Sequence, residues 1–454
     1  MIGMENEMDN RQWREFMDAA MGVPPGQVTV AAVRRRVARR RITEAAGVLA
    51  AVAVAVTGVT AAVQVYGAPP GPAAHHRRTG PTVYVAYAHG CLNFPCASNS
   101  HSSAAAVVIP ISTATNKAGQ PIKVGAGPGT VAGTGTIAFT PDGKTAYVLN
   151  TAGTVIPVST ATNRAGNPIH VGHSRLGGPA FIAITPDGKT AYVANAGRNT
   201  VTPISTATNK AGKPIRVAGA PNWIGPTWIA ITPDGKTAYV LNAAGLVTPI
   251  ATATNKAGKP ISTGGPSFEI AITPDGKTIY ADGGSGVTPI STATNTPGKR
   301  IHVAGNGGEG AMAITPDGKT IYALTVHPDT VVPISTATNK AGNPINIGHI
   351  PDVVLNGQIA ITPDGQTAYV LPGAHSVIPV STATNTAGRP IQFGSGCRSQ
   401  VHSYGPLKIA ITPNGKTAYL ACEGAVIPIS TATNTPGKPI HFPLGDPQAI
   451  AITP

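Results

Sequence analysis

The sequence predicts an all-β protein made of eight similar antiparallel sheets, and two repeated phrases are the basis for this prediction. "TPDG" and "PISTATN", or close variants of them, alternate along the 454-residue chain at a mean spacing of about 45 residues. The first begins at Thr140, Thr185, Thr232, Thr273, Thr315, Thr362 and Thr412, with a truncated "TP" at Thr453. The second begins at Pro110, Pro157, Pro203, Pro249, Pro289, Pro333, Pro379 and Pro428. Four-stranded repeats of this length are typical of propeller blades, so we expect an eight-bladed β-propeller, with seven blades as the alternative.

Each repeat predicts four short strands in a fixed order. Strand a is "IAIT", and the turn "PDGK" follows, in which Pro, Asp and Gly favour a hairpin. Strand b is "TAYVLN", strand c is "VIPIS", and the turn "TATNKAG" leads to strand d, "KPIRV". The strands are nearly continuous apolar runs, as expected when a sheet is buried on both faces. The proline inside strand c should cost a ladder hydrogen bond, unless a bulge accommodates it.

The composition agrees with many short strands joined by turns. The chain contains 54 Gly and 43 Pro, and only 11% of its residues are charged, which argues against long helices. Because Gly and Pro recur at the period of the repeat, the composition does not indicate a disordered low-complexity chain. The ends of the repeat region also fit a closed ring. "PTVYVAY" is a strand b without a strand a, and "AIAITP" at residues 449–454 is a strand a without a strand b. We therefore expect blade 1 to combine residues 82–124 with residues 448–453.

The first 81 residues differ from the repeats and predict a membrane anchor. Residues 1–44 form a short basic segment that ends in "RRRVARRR", and residues 45–66 are uncharged and long enough to span a bilayer. Residues 67–81 are a Pro-rich linker to the propeller at 82–454. The positive-inside rule predicts a single-pass protein of the cell membrane, with a cytoplasmic N-terminus and an extracytoplasmic propeller. A cleaved signal peptide and a buried soluble helix are the alternatives for residues 45–66.

The phrases "TAYVLN", "TPDGKT" and "STATNKAG" resemble the YVTN-family β-propeller repeat of bacterial and archaeal surface and secreted proteins. The resemblance covers residues 82–454 and implies a propeller fold, while implying little about function. Two features depart from the family: "IPIS" replaces the usual "VID" before "TATN", and the family commonly has seven blades. The N-terminal segment and span resemble the anchors of membrane proteins from high-GC actinobacteria.

The d–a and b–c loops vary between repeats, whereas the a–b and c–d turns are nearly constant. Alternate loops of a propeller emerge on the same face, so this variety predicts a binding face, with drift of unconstrained loops as the alternative. The candidate binding residues on these loops are Trp223, Trp228, His173, His349, His402 and Tyr404. We expect the partner to be a protein or a cell-envelope polymer and not a nucleic acid; the sequence does not indicate an oligomeric state. We expect the opposite face, which is formed by the lysine-bearing a–b and c–d turns, to be directed towards the anionic membrane or cell wall.

All four cysteines lie beyond the predicted span, which fits an exported domain with disulfides. Of the three possible connectivities we expect Cys91–Cys96 and Cys397–Cys422. A zinc site is the alternative, but the spacing matches no common pattern, so no metal and no cofactor are predicted. The sequence favours a protein that is not an enzyme. The alternative is a propeller-type, lactonase-like hydrolase or lyase, for which Glu269 and Glu309 are the weak catalytic candidates because each closely precedes a strand a.

Overall fold

The computed structural model describes fourteen stretches of the chain. These are residues 80–88, 106–125, 134–150, 153–172, 179–219, 225–283, 286–303, 311–325, 329–348, 357–372, 376–393, 408–422, 424–442 and 447–454. All of them belong to one compact unit, Thr57–Pro454. The predicted cytoplasmic segment 1–44, the predicted span 45–66 and all but the last two residues of the predicted linker 67–81 lie outside the described residues. Among the residues that are described, no helix is long and apolar enough to cross a membrane.

The inner three strands of every blade follow the predicted order. Strands a, in blades 1 to 8, are Pro447–Ile452, Thr134–Phe139, Pro179–Ile184, Pro226–Ile231, Ile270–Ile272, Met312–Ile314, Gln358–Ile361 and Lys408–Ile411. Strands b are Thr82–Ala88, Thr145–Asn150, Thr190–Asn195, Thr237–Asn242, Thr278–Gly283, Thr320–Thr325, Thr367–Leu371 and Thr417–Cys422. Strands c are Ala106–Ser112, Thr154–Ser159, Thr200–Ser205, Leu246–Ala251, Gly286–Ser291, Thr330–Ser335, Ser376–Ser381 and Ala425–Ser430. A 3₁₀ turn, Ala196–Arg198, joins strands b and c of blade 3.

The outer strand differs from the prediction, because it consists of two short pieces that both pair with strand c. The first pieces, d1, are Lys117–Ala118, Arg164–Ala165, Lys210–Ala211, Lys256–Ala257, Thr296–Pro297, Lys340–Ala341, Thr386–Ala387 and Thr435–Pro436. The second pieces, d2, are Ile122–Gly125, Ile169–His170, Ile215–Arg216, Ile261–Ser262, Ile301–His302, Ile345–Asn346, Ile391–Gln392 and Ile440–His441. The single predicted strand d is therefore corrected to an interrupted one.

The interruption explains the proline in strand c. In blade 3, Pro203 lies opposite Tyr192 of strand b, and its carbonyl accepts the N–H of Gly212 at 2.7 Å. The N and C=O of one strand residue point to the same side, so the missing N–H of Pro203 faces the gap between d1 and d2. No ladder bond is lost. The same Gly-to-Pro bond occurs in all eight blades, and a Cβ on each of these glycines would meet the proline ring at 3.0–3.2 Å.

The eight sheets form a closed ring whose inner edge is made by the strands a. Strands a of consecutive blades contact each other, including those of blades 8 and 1 and of blades 1 and 2. Blade 1 is completed by antiparallel pairing of Thr82–Ala88 with Pro447–Ile452, as expected. Thr453 fixes this closure, because its N–H donates to the Thr82 carbonyl at 3.0 Å and its hydroxyl accepts the Thr82 N–H at 2.9 Å.

The a–b turns are built in the same way in seven blades. In blade 2, the Thr140 hydroxyl and the Lys144 N–H both donate to Asp142 Oδ1, at 2.6 and 3.1 Å. Gly143 takes a positive φ of 67°, which the turn requires and which favours glycine. In blade 8, Asn414 takes the role of the aspartate.

A hydrogen bond joins each blade to the next through the repeated Tyr and Asn. The tyrosine of strand b is fully buried, and its hydroxyl donates to the Asn Oδ1 of the following blade's "TATN" turn at 2.6–2.7 Å. The pairs are Tyr84–Asn163, Tyr147–Asn209, Tyr192–Asn255, Tyr239–Asn295, Tyr280–Asn339, Tyr322–Asn385, Tyr369–Asn434 and Tyr419–Asn116. Each of these asparagines has a positive φ of 52–55°, a conformation that Asn tolerates better than most residues. The last pair spans blades 8 and 1, so this Tyr–Asn belt is closed.

Candidate functional site

Comparison of the eight blades identifies one position, in strand a or immediately before it, whose side-chain chemistry changes from blade to blade. It is the residue just before the repeated Ile-Ala-Ile, and in blades 1 to 8 it is Ala449, Thr136, Phe181, Trp228, Glu269, Ala311, Gln358 and Lys408. All of those whose side chains the structure describes are buried. Strand a forms the inner edge of its sheet, and this position is at the end next to the variable loops. The chemistry of the ring therefore differs from blade to blade at this level.

Blade 5 departs from the repeat at two further positions, both of which are apolar in the other blades. Asp282 occupies the fifth position of strand b, where the other seven blades have Leu or Ala. Arg300 replaces the proline that precedes the d2 isoleucine in every other blade. Together with Glu269, these residues define the blade 5 polar cluster. Two polar departures from apolar positions, in the same repeat as the carboxyl group of Glu269, single out this blade.

Asp282 is 8% exposed and is held by the end of the d–a loop. Its Oδ1 accepts the N–H of Phe268 at 3.0 Å and the N–H of Glu269 at 2.6 Å. Burial raises the pKa of Asp282 to about 7, although the two N–H groups and the positive charge of Arg300 oppose the rise. This carboxyl group therefore exchanges its proton near neutral pH.

Glu269 reaches from blade 5 to the inner edge of blade 6. Its Oε2 accepts the N–H of Met312 at 3.0 Å, and the side chain is 8% exposed. Gln358 makes the same kind of bond to the N–H of Ile409 in the next blade, also at 3.0 Å. Burial, and then the charge of Asp282, raise the pKa of Glu269 well above its ordinary value. Glu269 is therefore a buried residue and not a solvated one.

Arg300 supplies hydrogen-bond donors that have no acceptor among the described residues. Its Nε and Nη2 are buried and without a partner. The guanidinium lies close to Gly283, where a Cβ would stand 3.0 Å from Nη2. Nε and Nη2 form one edge of the guanidinium fork, the geometry that matches two oxygens of a carboxylate or phosphate.

The cluster combines two carboxyl groups of raised pKa with an arginine fork. Glu269, whose raised pKa favours its protonated form, and Asp282, whose pKa is about 7, are able to transfer a proton or to bind a polar ligand. Within the described stretches, no group of three or more His, Cys, Asp or Glu is arranged to hold a metal ion. Of these three residues, the sequence pattern within one repeat predicts only Glu269 as a candidate, and not Asp282 or Arg300. A position-by-position comparison of the eight repeats would have found both.

Trp228 is placed differently from the prediction. It lies within strand a of blade 4 and not in the d–a loop, and it is 4% exposed. Its ring stacks on Phe181 of blade 3, with centroids 4.6 Å apart and planes at 25°. Its aromatic face is thus packed between two blades, and its role in binding stays a prediction.

Most of the other predicted site residues fall in stretches that the structure does not describe. Trp223, His173, His349, His402, Tyr404, Glu309, Cys91, Cys96 and Cys397 lie outside the described residues. Cys422 is 1% exposed at the end of strand b of blade 8 and is not a free thiol. The pairings Cys91–Cys96 and Cys397–Cys422 stay predictions. Lys408, which the sequence analysis did not select, is 2% exposed, and burial lowers its pKa to about 7.

Comparisons with known proteins support the fold. No protein-family model matches the chain, and no curated protein matches it. Among solved structures, the chain is similar to the dihydro-heme d1 dehydrogenase NirN, with a TM-score of 0.61 and 15% identity over 98% of this chain and 91% of that one. The chain is an eight-bladed β-propeller. Hydrazine synthase from Kuenenia stuttgartiensis matches with a TM-score of 0.50 and 23% identity over 65% of this chain and 95% of that one. At these identities the likeness extends to the fold and not to the chemistry.

Proposed function

We propose that the protein is a cell-surface binding scaffold of the YVTN-repeat kind. Residues 45–66 anchor it in the cell membrane with the N-terminus in the cytoplasm, and the linker 67–81 carries the propeller outside. The variable-loop face binds a protein or a cell-envelope polymer, and the disulfides Cys91–Cys96 and Cys397–Cys422 brace that face.

One observation carries the proposal: polar departures from the repeat collect at the loop end of the sheets. The a–b turns and the Tyr–Asn belt use the same residue types in almost every blade. In the blade 5 polar cluster, by contrast, Asp282 and Arg300 replace residues that are apolar in the other seven blades, close to the variable loops. Buried polar groups with unused donors cost stability, and proteins tolerate such groups mainly where they serve function.

The sharpest test restores blade 5 to the repeat. A variant with Glu269→Ala, Asp282→Leu and Arg300→Pro carries residues that other blades have at these positions. We expect it to fold, as judged by circular dichroism, and to lose the partner that photo-crosslinkers on the variable loops capture on intact cells. The matched control carries Lys144→Gln, Lys189→Gln and Lys236→Gln on the opposite face and is expected to keep that partner. Identical crosslinked products from all three proteins would contradict the proposal.

The proposed topology has a separate test. The segment 1–44 contains no lysine, whereas the propeller has many exposed ones, such as Lys210. A membrane-impermeant amine reagent applied to intact cells should therefore label Lys210. Labelling that begins only after lysis would place the propeller inside the cell.

A lactonase-like hydrolase or lyase is the second candidate, and the carboxyl pair Glu269 and Asp282 is the observation that favours it. A carboxyl group of raised pKa next to a second one whose pKa is about 7 suits acid–base chemistry. Turnover of any member of a panel of lactones and esters, lost in Glu269→Gln, would support a hydrolase or lyase over the scaffold. Equal turnover by the Glu269→Gln variant would show that the pair of Glu269 and Asp282 does not take part in the reaction.

A further inference from the structure

The outer edge of every blade carries positive charge without any acidic residue. The outer segments run from the c–d turn through d2, and the structure describes them completely in all eight blades: 113–125, 160–172, 206–219, 252–262, 292–303, 336–348, 382–393 and 431–442. None contains Asp or Glu. Their exposed cations are Lys117, Lys123, Arg164, Lys210, Lys213, Arg216, Lys256, Lys259, Lys299, Lys340, Arg389 and Lys438. We call these twelve residues the cationic rim.

Topology places the cationic rim on the circumference of the ring. The order in each sheet is a-b-c-d, and the strands a contact each other around the inner edge. The d pieces are therefore the outermost strands of every blade. At least one rim cation lies on each of the eight blades, and blades 3 and 4 together carry five, namely Lys210, Lys213, Arg216, Lys256 and Lys259.

The rim differs electrostatically from the lysines of the a–b turns. Lys144, Lys189, Lys236, Lys277 and Lys319 each pair with the aspartate of their own turn at 3.3–3.5 Å. None of the rim cations has an ion-pair partner within the described part of the chain. The expected basic turn face is therefore largely neutralised at its a–b turns, and the uncompensated charge lies at the rim.

We propose that the cationic rim binds a linear, phosphate-bearing polymer of high charge density. Nine of the twelve cations are Lys, which act as point charges and do not demand the paired geometry of an Arg fork. Charge density, and not base or sugar identity, then decides the binding. A flat membrane touches only a part of a circumference, whereas a flexible polymer follows it from blade to blade and releases counterions at each contact.

The test uses the full chain and two variants with equal loss of charge. The rim variant carries Lys210→Gln, Lys213→Gln, Lys256→Gln and Lys259→Gln. The matched control carries Lys144→Gln, Lys189→Gln, Lys236→Gln and Lys319→Gln, which removes the same number of charges from Asp-paired positions. Binding to long-chain polyphosphate, to poly-glutamate and to vesicles of phosphatidylglycerol is measured as a function of salt.

We expect the unmodified chain to bind polyphosphate more tightly than poly-glutamate, with affinity that falls steeply as salt rises. The rim variant should lose at least tenfold in affinity at low salt, and its salt slope should fall by about 3, which is about 0.7 for each of the four lysines replaced. The control should change little. An equal loss in the control would reduce the effect to net charge. Because residues 45–66 can themselves insert into vesicles, only the difference between the unmodified chain and the rim variant is compared there, and a larger loss for vesicles than for polyphosphate would favour a flat partner; each result overturns the proposal. Because the rim variant leaves the variable loops intact, its crosslinked partner should persist, which separates this inference from the proposed function.

Discussion

At the residue scale, the Tyr–Asn bond is the contact that recurs at every blade interface. Tyr239 donates to Asn295 at 2.7 Å, and Asn295 is held at a φ of 55°. Asn thus does two things in this turn, because it accepts the bond and tolerates the left-handed backbone. Replacing it with another residue type tests both properties separately.

We predict that Tyr239→Phe lowers the free energy of unfolding by about 1 kcal/mol, the usual net value of one hydrogen bond. Asn295→Ala should cost more, about 2–3 kcal/mol, because the left-handed conformation adds about 1–2 kcal/mol for an L-residue with a Cβ. Asn295→Gly should lie between them, since glycine adopts this φ freely. Denaturant midpoints of the four proteins measure the series. Equal costs for Asn295→Ala and Asn295→Gly would show that the backbone conformation is not the reason for the asparagine.

Asp282 predicts a pH dependence of stability with a defined sign. Its pKa rises from the ordinary 3.8 to about 7 on folding, so the folded protein holds the proton more tightly than the unfolded chain. Its contribution is fully present at low pH and is lost as pH rises from about 4 through 7. In Asp282→Leu the melting temperature should fall less over this range than in the unmodified chain. Parallel curves would mean that Asp282 does not titrate in this window.

Lys408 predicts the opposite slope in a separate window. Its pKa falls from 10.5 to about 7 on folding, so between these values the unfolded chain holds more protons. Stability from this residue should therefore grow as pH rises from 7 towards 10. The Lys408→Met variant should lack this gain in melting temperature. A slope retained by the variant would assign it to other groups.

Residue-level predictions from the sequence were only partly sufficient. Glu269 was selected because it precedes a strand a, but its burial depends on blade 6, whose Met312 N–H it accepts. Trp228 was assigned to a loop because strand a begins before the repeated phrase in blade 4. Arg300 was not predicted, because it stands out only when it is compared with the prolines at the same position of the other repeats. Contacts with the next blade, as for Glu269, and differences between repeats, as for Arg300, are not specified by the pattern within one repeat.

At the element scale, the interrupted outer strand is the main feature that the sequence did not predict. Strands a, b and c follow from apolar runs between turn residues, which is a local signal. The break between d1 and d2 depends on the contact between the glycine that follows d1 and the proline of strand c. Pro203 and Gly212 are nine residues apart, and only their pairing across the hairpin shows that the two residue types are needed together.

This pairing predicts a coupled effect of two mutations. Gly212→Ala places a methyl group 3.2 Å from the Pro203 Cγ, so it should destabilise the protein by about 1–3 kcal/mol. Pro203→Ala removes the ring and should make room for that methyl group. The double variant should therefore be more stable than the sum of the two single effects by at least about 0.5 kcal/mol. Additive losses in a double-mutant cycle would argue against the contact as the reason for the glycine.

At the scale of the whole molecule, ring closure depends on the last strand of the chain. The blade number and the joined termini were predicted correctly, because the number of repeats and the incomplete end copies are visible in the sequence. The ring needs the segment 447–452 to complete blade 1, and Thr453 to fix it. Without it, strand Thr82–Ala88 has an unpaired edge, and edges of this kind promote association.

Removal of residues 447–454 should therefore prevent formation of a stable monomeric ring. We expect early elution or aggregation on size exclusion and rapid cleavage by protease. A control that removes eight residues of the predicted linker, 68–75, should leave the melting temperature unchanged. A truncated protein that melts like the intact one would mean that seven complete blades suffice for closure.

The Tyr–Asn belt also bears on how such a molecule arises in evolution. Every repeat encodes both partners of this bond, the donor Tyr and the acceptor Asn. An unequal crossover that adds or deletes a whole repeat therefore leaves compatible neighbours on either side of the junction. The Tyr–Asn bond itself does not determine the number of blades. The number of blades is limited instead by the angle at which neighbouring sheets pack. Gene segments of about one repeat can therefore be exchanged without changes to the interfaces between blades.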